Sequence, residues 1–333
     1  MRIVTIAIRR LHERPIALRA GAALATCVAV GALVTGCGAG PGSGDTGAAA
    51  VVGSGRVSLE SVQQRITDVL ASSPDARQLQ QQKPSTFPPI ARTIVQLAVW
   101  DEATRQLAAK LGVQVSEEKV DQAYAQQTSS GQLPSYSDTK NIPVKGDVLK
   151  GYLRDSLLWA AIGAKQVRTT AVTYDYAVTQ DRNGAQALVD KILAHPDQHA
   201  AIVNQAMAGA QSQDGSAPKS TANLTGSPAT TPQELAPMFA ANAGSVIAFP
   251  VQQENIWVVA YVSKRTENAG DTTGGQDVSQ VAGSFGQSQM IRYAAQAGVT
   301  LNPRFGVWEP LTGLVSPSDG ESSSILKTVK TTP

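Results

Sequence analysis

The chain is poor in the residues that carry covalent chemistry or bind charged polymers. Only 2 of its 333 residues are cysteine, too few for a disulfide framework or a four-ligand zinc site. Aromatic residues make up 5% and charged residues 16%, so a core has to be assembled from Ala, Val, Leu and Ile. Lys and Arg number 28 against 26 Asp and Glu, a net charge of +2 without the basic stripe of a nucleic-acid protein. No Walker lysine is present, and neither Gly274-Gly275 nor the Gly283–Gly286 stretch opens a helix as a phosphate loop does. No Gly-x-Ser-x-Gly elbow is present either. What is there describes a globular chain: 42% apolar residues, ordinary Gly and Pro usage, and a length that suggests about two domains.

The positive charge is unevenly placed. Residues 1–19 hold five arginines and one acid, Glu13, and residues 20–36 then carry no charge at all. A basic segment followed by a short apolar one, rich in Ala and Gly, reads as a secretory signal rather than a spanning helix. It ends on Val34-Thr35-Gly36-Cys37, which resembles a bacterial lipobox. That resemblance implies diacylglyceryl transfer to the Cys37 thiol and cleavage before it. The mature body would then be extracytoplasmic and anchored to the cell membrane by lipid. The Gly/Ser-rich stretch 38–46 is a suitable tether. The alternative is an uncleaved anchor helix with an incidental cysteine. Removing residues 1–36 takes away Cys27, five basic groups and one acidic group, and turns the charge from +2 to −2. With Cys37 acylated no free thiol is left, which excludes a cysteine nucleophile and any disulfide staple.

The rest reads as a helical half followed by a mixed half. An apolar run at 48–52 and Gly53-Ser54-Gly55 predict a short strand and turn. Ser58 and Ser116 are N-cap residues with acids in the following turn, and Gly112 is a C-terminal stop. Helices are predicted from Ser58, over 90–111, from Ser116, and over 145–167, with 72–89 and 129–143 as loops. In the 145–167 helix, Leu149, Leu153, Leu157, Ala160, Ala164 and Val167 are expected to share one buried face. Val172, Tyr174, Tyr176 and Val178 alternate with Thr173, Asp175 and Ala177 as a half-buried strand. A helix at 185–194, a polar loop at 211–232, a short helix at 232–241, strands at 246–251 and 256–262, and a helix at 278–296 follow. The run 256–262 is continuously apolar and is expected at the centre of a sheet. The Pro- and Ser/Thr-rich remainder reads as extended and then disordered.

Two stretches resemble a known family. Ala49-Val51-Val52, a tight turn and Val57-Ser58-Leu59-Glu60-Ser61-Val62 are similar to the opening of SurA-type periplasmic chaperones. So is the run from Leu111-Gly112-Val113 through Ser116-Glu117-Glu118-Lys119-Val120-Asp121. The layout of Tyr174 to Arg265 resembles a parvulin-type prolyl isomerase domain. SurA and PrsA chaperones share this order, with a last helix returning to the first lobe. The resemblance implies an α+β protein: a mostly helical SurA N-terminal-like lobe and a small parvulin-like α/β lobe. The expected divisions are signal 1–36, lipidated tether 37–47, helical lobe 48–170, degenerate parvulin-like lobe 171–266, returning helix 276–298, and extended segment with disordered tail 299–333.

The departures weigh against catalysis. The family's two strand histidines are missing from both 172–178 and 256–262, and its Gly-Gly-Asp-Leu-Gly turn survives only as Thr221 to Gly226. Leu235 and Phe239 are left as candidates for an apolar client or proline pocket. Asp175 reads as a solvated strand-face residue. His195 and His199 read as surface histidines at a helix end, because Pro196 lies between them and no zincin glutamate follows. No catalytic, cofactor or metal residue is assigned. The expected function is a membrane-anchored chaperone or foldase that binds unfolded secreted or envelope polypeptides without ATP, and that has no nucleotide or nucleic-acid partner. The alternatives are an active parvulin-type isomerase and an envelope-assembly lipoprotein with one dedicated partner.

Overall fold

A hairpin at the start of the body shows how local sequence sets the first elements. β1 (Ala48–Val52) pairs antiparallel with β2 (Gly55–Ser58). The turn places Gly53 at φ +55, a conformation that costs a residue with a side chain energy. This computed structural model describes residues 47–82, 87–136, 142–208, 221–251, 254–275 and 277–329. The basic leader, Cys37 and most of the tether lie outside them.

Five helices follow. In α1 (Leu59–Ser72) the Ser58 side chain accepts a hydrogen bond from the Ser61 N–H at 3.1 Å. α2 (Pro74–Gln82) occupies part of the stretch expected to be a loop. Its Gln-rich composition hides two inward residues, Ala76 and Leu79, which are buried in the main core. Arg77 clamps the α1–α2 corner by donating to the Leu70 and Ala71 carbonyls. α3 (Pro88–Leu111) stops at Gly112 in the left-handed region, as expected. α4 (Glu117–Ser130) starts under the Ser116 cap, and α5 (Gly146–Gln166) completes the helical half.

The buried face of α5 differs from the expected one. Leu149, Asp155, Trp159, Ile162 and Gly163 are buried, while Ala160 and Ala164 are exposed. The reason is tertiary. α8 (Ser279–Ala297) returns from the far end of the chain and crosses α5 backbone to backbone. A Cβ on Gly163 would lie 1.8 Å from the Ala282 carbonyl oxygen, and a Cβ on Gly286 1.8 Å from that of Trp159. Two glycines therefore permit a helix contact that no pattern of large apolar residues announces. Trp159 seals the seam, donating its indole N–H to Thr104 Oγ1 at 2.8 Å and meeting the Trp100 ring edge-on.

The mixed half is one antiparallel five-stranded sheet. It contains β3 (Ala171–Thr179), β4 (Leu224–Gly226), β5 (Ser245–Val251), β6 (Ile256–Thr266) and β10 (Ile325–Thr328), in the order β10-β5-β6-β3-β4. β6 is central, as its apolar run suggests. One face (Tyr174, Ile247, Phe249, Val258, Ala260, Val262) joins the main core. The opposite face (Ala177, Val246, Ala248, Val259, Ile325) forms a second core with α6 (Arg182–Ala194) and α7 (His199–Met207). The period-2 alternation of the strands feeds both layers. α7 has no counterpart in the sequence reading, and β4 lies within the expected 211–232 loop.

The expectation of a disordered tail is also corrected. β7 (Val299–Leu301) adds to β1, β8 (Val307–Trp308) pairs with β9 (Val315–Ser316), and β10 closes the outer edge of the sheet. The Ser/Thr-rich composition that suggests disorder has a structural use. Glu309 is 1% exposed. Its carboxylate accepts hydrogen bonds from Thr312, Ser316, the N–H and hydroxyl of Ser323, and Ser324. Burial pushes this carboxyl up, but the serine and threonine donors hold it below the usual glutamate range. Those hydroxyls replace water around a buried charge and order the segment.

Candidate functional site

The sheet meets α8 through a 3-10 helix, Gln233–Ala240, that carries Pro237 inside it. Its buried side is Leu235, Met238, Phe239 and Ala240. One buried arginine fixes its position. Arg265, on β6, donates to the Phe239 carbonyl at 3.1 Å, to Gln289 Oε1 on α8 at 2.7 Å, and to Glu267 at 3.2 Å. Burial, with Arg292 nearby, pushes this guanidinium down to about 10, so it remains charged at neutral pH. Arg292 and Gln296 of α8 also hold the Asn242 side chain just beyond the 3-10 helix. Strand, 3-10 helix and α8 are thus tied by charge-assisted hydrogen bonds.

Between the 3-10 helix and α8 this scaffold leaves a cavity of about 210 Å³. Ala236, Phe239, Val281 and Phe285 supply apolar wall, and Thr231 and Ser284 supply polar wall. The two phenyl rings meet edge to face at 5.9 Å. The Thr231 hydroxyl is buried and has no hydrogen-bond partner among the described residues. The volume suits one proline ring or branched aliphatic side chain with its peptide group. It is below the roughly 300–1,000 Å³ of sites for drug-sized ligands.

Of the two sequence-chosen pocket residues, Phe239 lines the cavity and Leu235 does not; Leu235 fills the main core. On β3, Tyr174 and Tyr176 face the same core, with ring centroids 6.3 Å apart. Burial raises the Tyr174 hydroxyl above its usual range. Cys37 lies outside the described residues.

Two expectations about polar residues are overturned on the other face of the sheet. Asp175 is fully buried, not solvated. One of its oxygens accepts from the Asn223 N–H, and the other pairs with His199 Nδ1. His199, at the start of α7, is therefore a partly buried core histidine and not a surface one, while His195 is exposed. Tyr261, the register partner of Asp175, lies against the His199 ring at 4.6 Å. Asn223 adopts φ +54 to bring its N–H into place. The spacing of Ile202, Val203 and Met207 after Asp197 is the one local sign of α7, and nothing local links it to Asp175. Asp155 on α5, 4% exposed beside a second cavity, has no local sign either.

Among the described residues no group of three or more His, Cys, Asp or Glu is placed to hold a metal ion. No helix among them is long and apolar enough to cross a membrane.

No family model and no curated protein matches the chain. Among solved structures it is similar to the foldase protein PrsA from Streptococcus pneumoniae, at 13% identity and a TM-score of 0.26, over 69% of this chain and 92% of that one. It is also similar to the foldase protein PrsA from Lactococcus lactis, at 11% identity and a TM-score of 0.24, over 77% of this chain and 94% of that one. At these values no residue role passes from those proteins to this one.

Proposed function

We propose that the chain is an extracytoplasmic polypeptide-binding protein of the chaperone or foldase class, tethered to the cell membrane through Cys37 and working without nucleotide. The observation that carries this reading is the cavity at the seam of the 3-10 helix and α8. It has phenyl and aliphatic walls for one side chain, and the exposed Ser284 at its rim as a polar group for a passing backbone. Exposed backbone and isolated apolar side chains are what an unfolded chain offers and a folded one conceals. Binding of this kind needs neither covalent chemistry nor a cofactor.

A second reading, prolyl isomerisation, draws on the same cavity, because a proline ring fits beside Phe239. The barrier it would lower is the roughly 20 kcal/mol of peptide-bond rotation.

The test is suppression of aggregation of two unrelated denatured proteins, without ATP, measured by light scattering. Ser284 is exposed at the cavity, so Ser284→Trp fills it from the solvent side. The parent is expected to suppress aggregation and Ser284→Trp to lose most of that effect with an unchanged circular dichroism spectrum. Equal suppression by both proteins removes the cavity from the reading. Acceleration of proline-limited refolding at catalytic ratios assigns the isomerase instead.

A further inference from the structure

Asp155 stands in a position that an apolar residue should fill. It lies in the buried stripe of α5, four residues before Trp159 and seven before Ile162, and is 4% exposed. Aspartate is almost never this buried unless it is paired. Among the described residues no group donates a hydrogen bond to it. Its neighbour Arg154 reaches away to Glu117 on α4, at 2.7 Å. Arg105 of α3 is held by Glu102 in a two-pronged pair. The like charge acting on it is Asp101 of α3, and Arg65 of α1 acts on both acids.

Asp155 and Asp101 line one cavity of about 480 Å³, between the end of α3, the 112–115 segment and α5. Ala108, Ala109, Val113, Val115 and Leu158 supply its aliphatic wall, and Arg105, Arg154 and Gln114 also line it. Two carboxyl groups with no bonded cation among the described residues thus share a partly aliphatic space whose two arginines are engaged by glutamates. We infer that this cavity binds the basic end of a polypeptide side chain, an ammonium or guanidinium on an aliphatic stem, with the Asp155 carboxylate as its acceptor. The stem covers the aliphatic wall while the charged head meets the acid. The partner identified is a lysine- or arginine-bearing segment. This assignment rests on the polypeptide-binding reading but uses a different site, in the helical half.

Protonation supports the geometry. Burial first, and then the Asp101 charge, push the Asp155 carboxyl up to about 8, against the weaker opposing pull of Arg154 and Arg65. The carboxyl therefore holds a proton at neutral pH, and an entering cation replaces it. Binding accordingly releases up to one proton and strengthens as pH rises from 6 towards 8.

The experiment is calorimetric titration of the full chain, at pH 7 in two buffers of different ionisation enthalpy, with a blocked apolar pentapeptide bearing one central lysine. Its N-acetyl-lysine counterpart and putrescine serve as parallel probes. Binding of the lysine peptide with proton release is expected, weakened at least about tenfold by acetylation and by Asp155→Asn. Asp101→Asn, on the neighbouring helix, is expected to weaken it less. Putrescine binding more tightly than the peptide, lost in Asp155→Asn, keeps the cation site but assigns it to free amines. Equal affinity of the parent and Asp155→Asn for the lysine peptide, or no binding of any probe, overturns the inference. Because Ser284→Trp tests the other cavity, the two readings fail separately.

Discussion

Asp155→Asn replaces a buried acid by a neutral isostere, and the pH dependence of stability follows from the geometry. In the folded chain burial, with the Asp101 charge, holds this carboxyl at about 8, against about 3.8 for an aspartate in water. Between those limits the folded state keeps a proton that the unfolded state has lost. Stability therefore falls as pH rises, by about 1.4 kcal/mol per pH unit. The contribution is fully present below about pH 4 and is lost as pH climbs through 8. At pH 7 the penalty relative to a neutral residue is about 4 kcal/mol if the site stays dry, and about 2 if water follows the charge into the cavity. The amide keeps the volume and loses the titration. Urea denaturation of both proteins at pH 4.5, 6, 7.5 and 9 reads this directly. The two midpoints are expected to be close at pH 4.5 and to separate progressively above it, with Asp155→Asn the more stable. A difference independent of pH, or a variant less stable at pH 7.5, refutes the account of Asp155 as an uncompensated buried acid.

Gly286→Ala places a methyl 1.8 Å from the Trp159 carbonyl oxygen, so α5 and α8 must separate. A loss of about 2–4 kcal/mol is expected, despite roughly 1 kcal/mol of gained helix propensity. Gly283→Ala, one turn away with nothing within 4 Å, is expected to be neutral or slightly stabilising, and equal thermal shifts would refute the close approach. Glu309→Gln removes the charge that orders the C-terminal serines and should cost about 1.5–3 kcal/mol at pH 7. Its carboxyl is held below the usual range, so this stabilisation is present above about pH 4.5 and disappears as pH falls through the folded value. Comparison of the denaturation midpoints of Glu309→Gln and the parent from pH 7 downwards should show the gap narrowing as the pH falls. Cys37→Ala is expected to abolish labelling by a radioactive fatty acid and to leave the leader uncleaved; continued lipidation would refute the anchor assignment.

The sequence by itself determined whatever is decided within one or two turns of chain. The Ser58 and Ser116 caps, the Gly112 stop and the Gly53 turn stand where they were read, because capping and left-handed backbone are contacts with near neighbours. β6 at the centre of the sheet was legible for the same kind of reason: an unbroken apolar run has to be covered on both faces. Only the tertiary structure decided which polar residues are buried and what serves them. Asp175 meets His199 across 24 positions, and Glu309 gathers its hydroxyls from a tail whose composition suggests disorder. Asp155 is buried beside residues of α3 and the 112–115 segment, some forty positions away, and two glycines 123 positions apart let α8 press against α5. A glycine reports no partner, and an acid in a helix reports no environment. The free energy of a buried charge is set by neighbours that arrive from elsewhere in the chain, and local pattern holds no record of them.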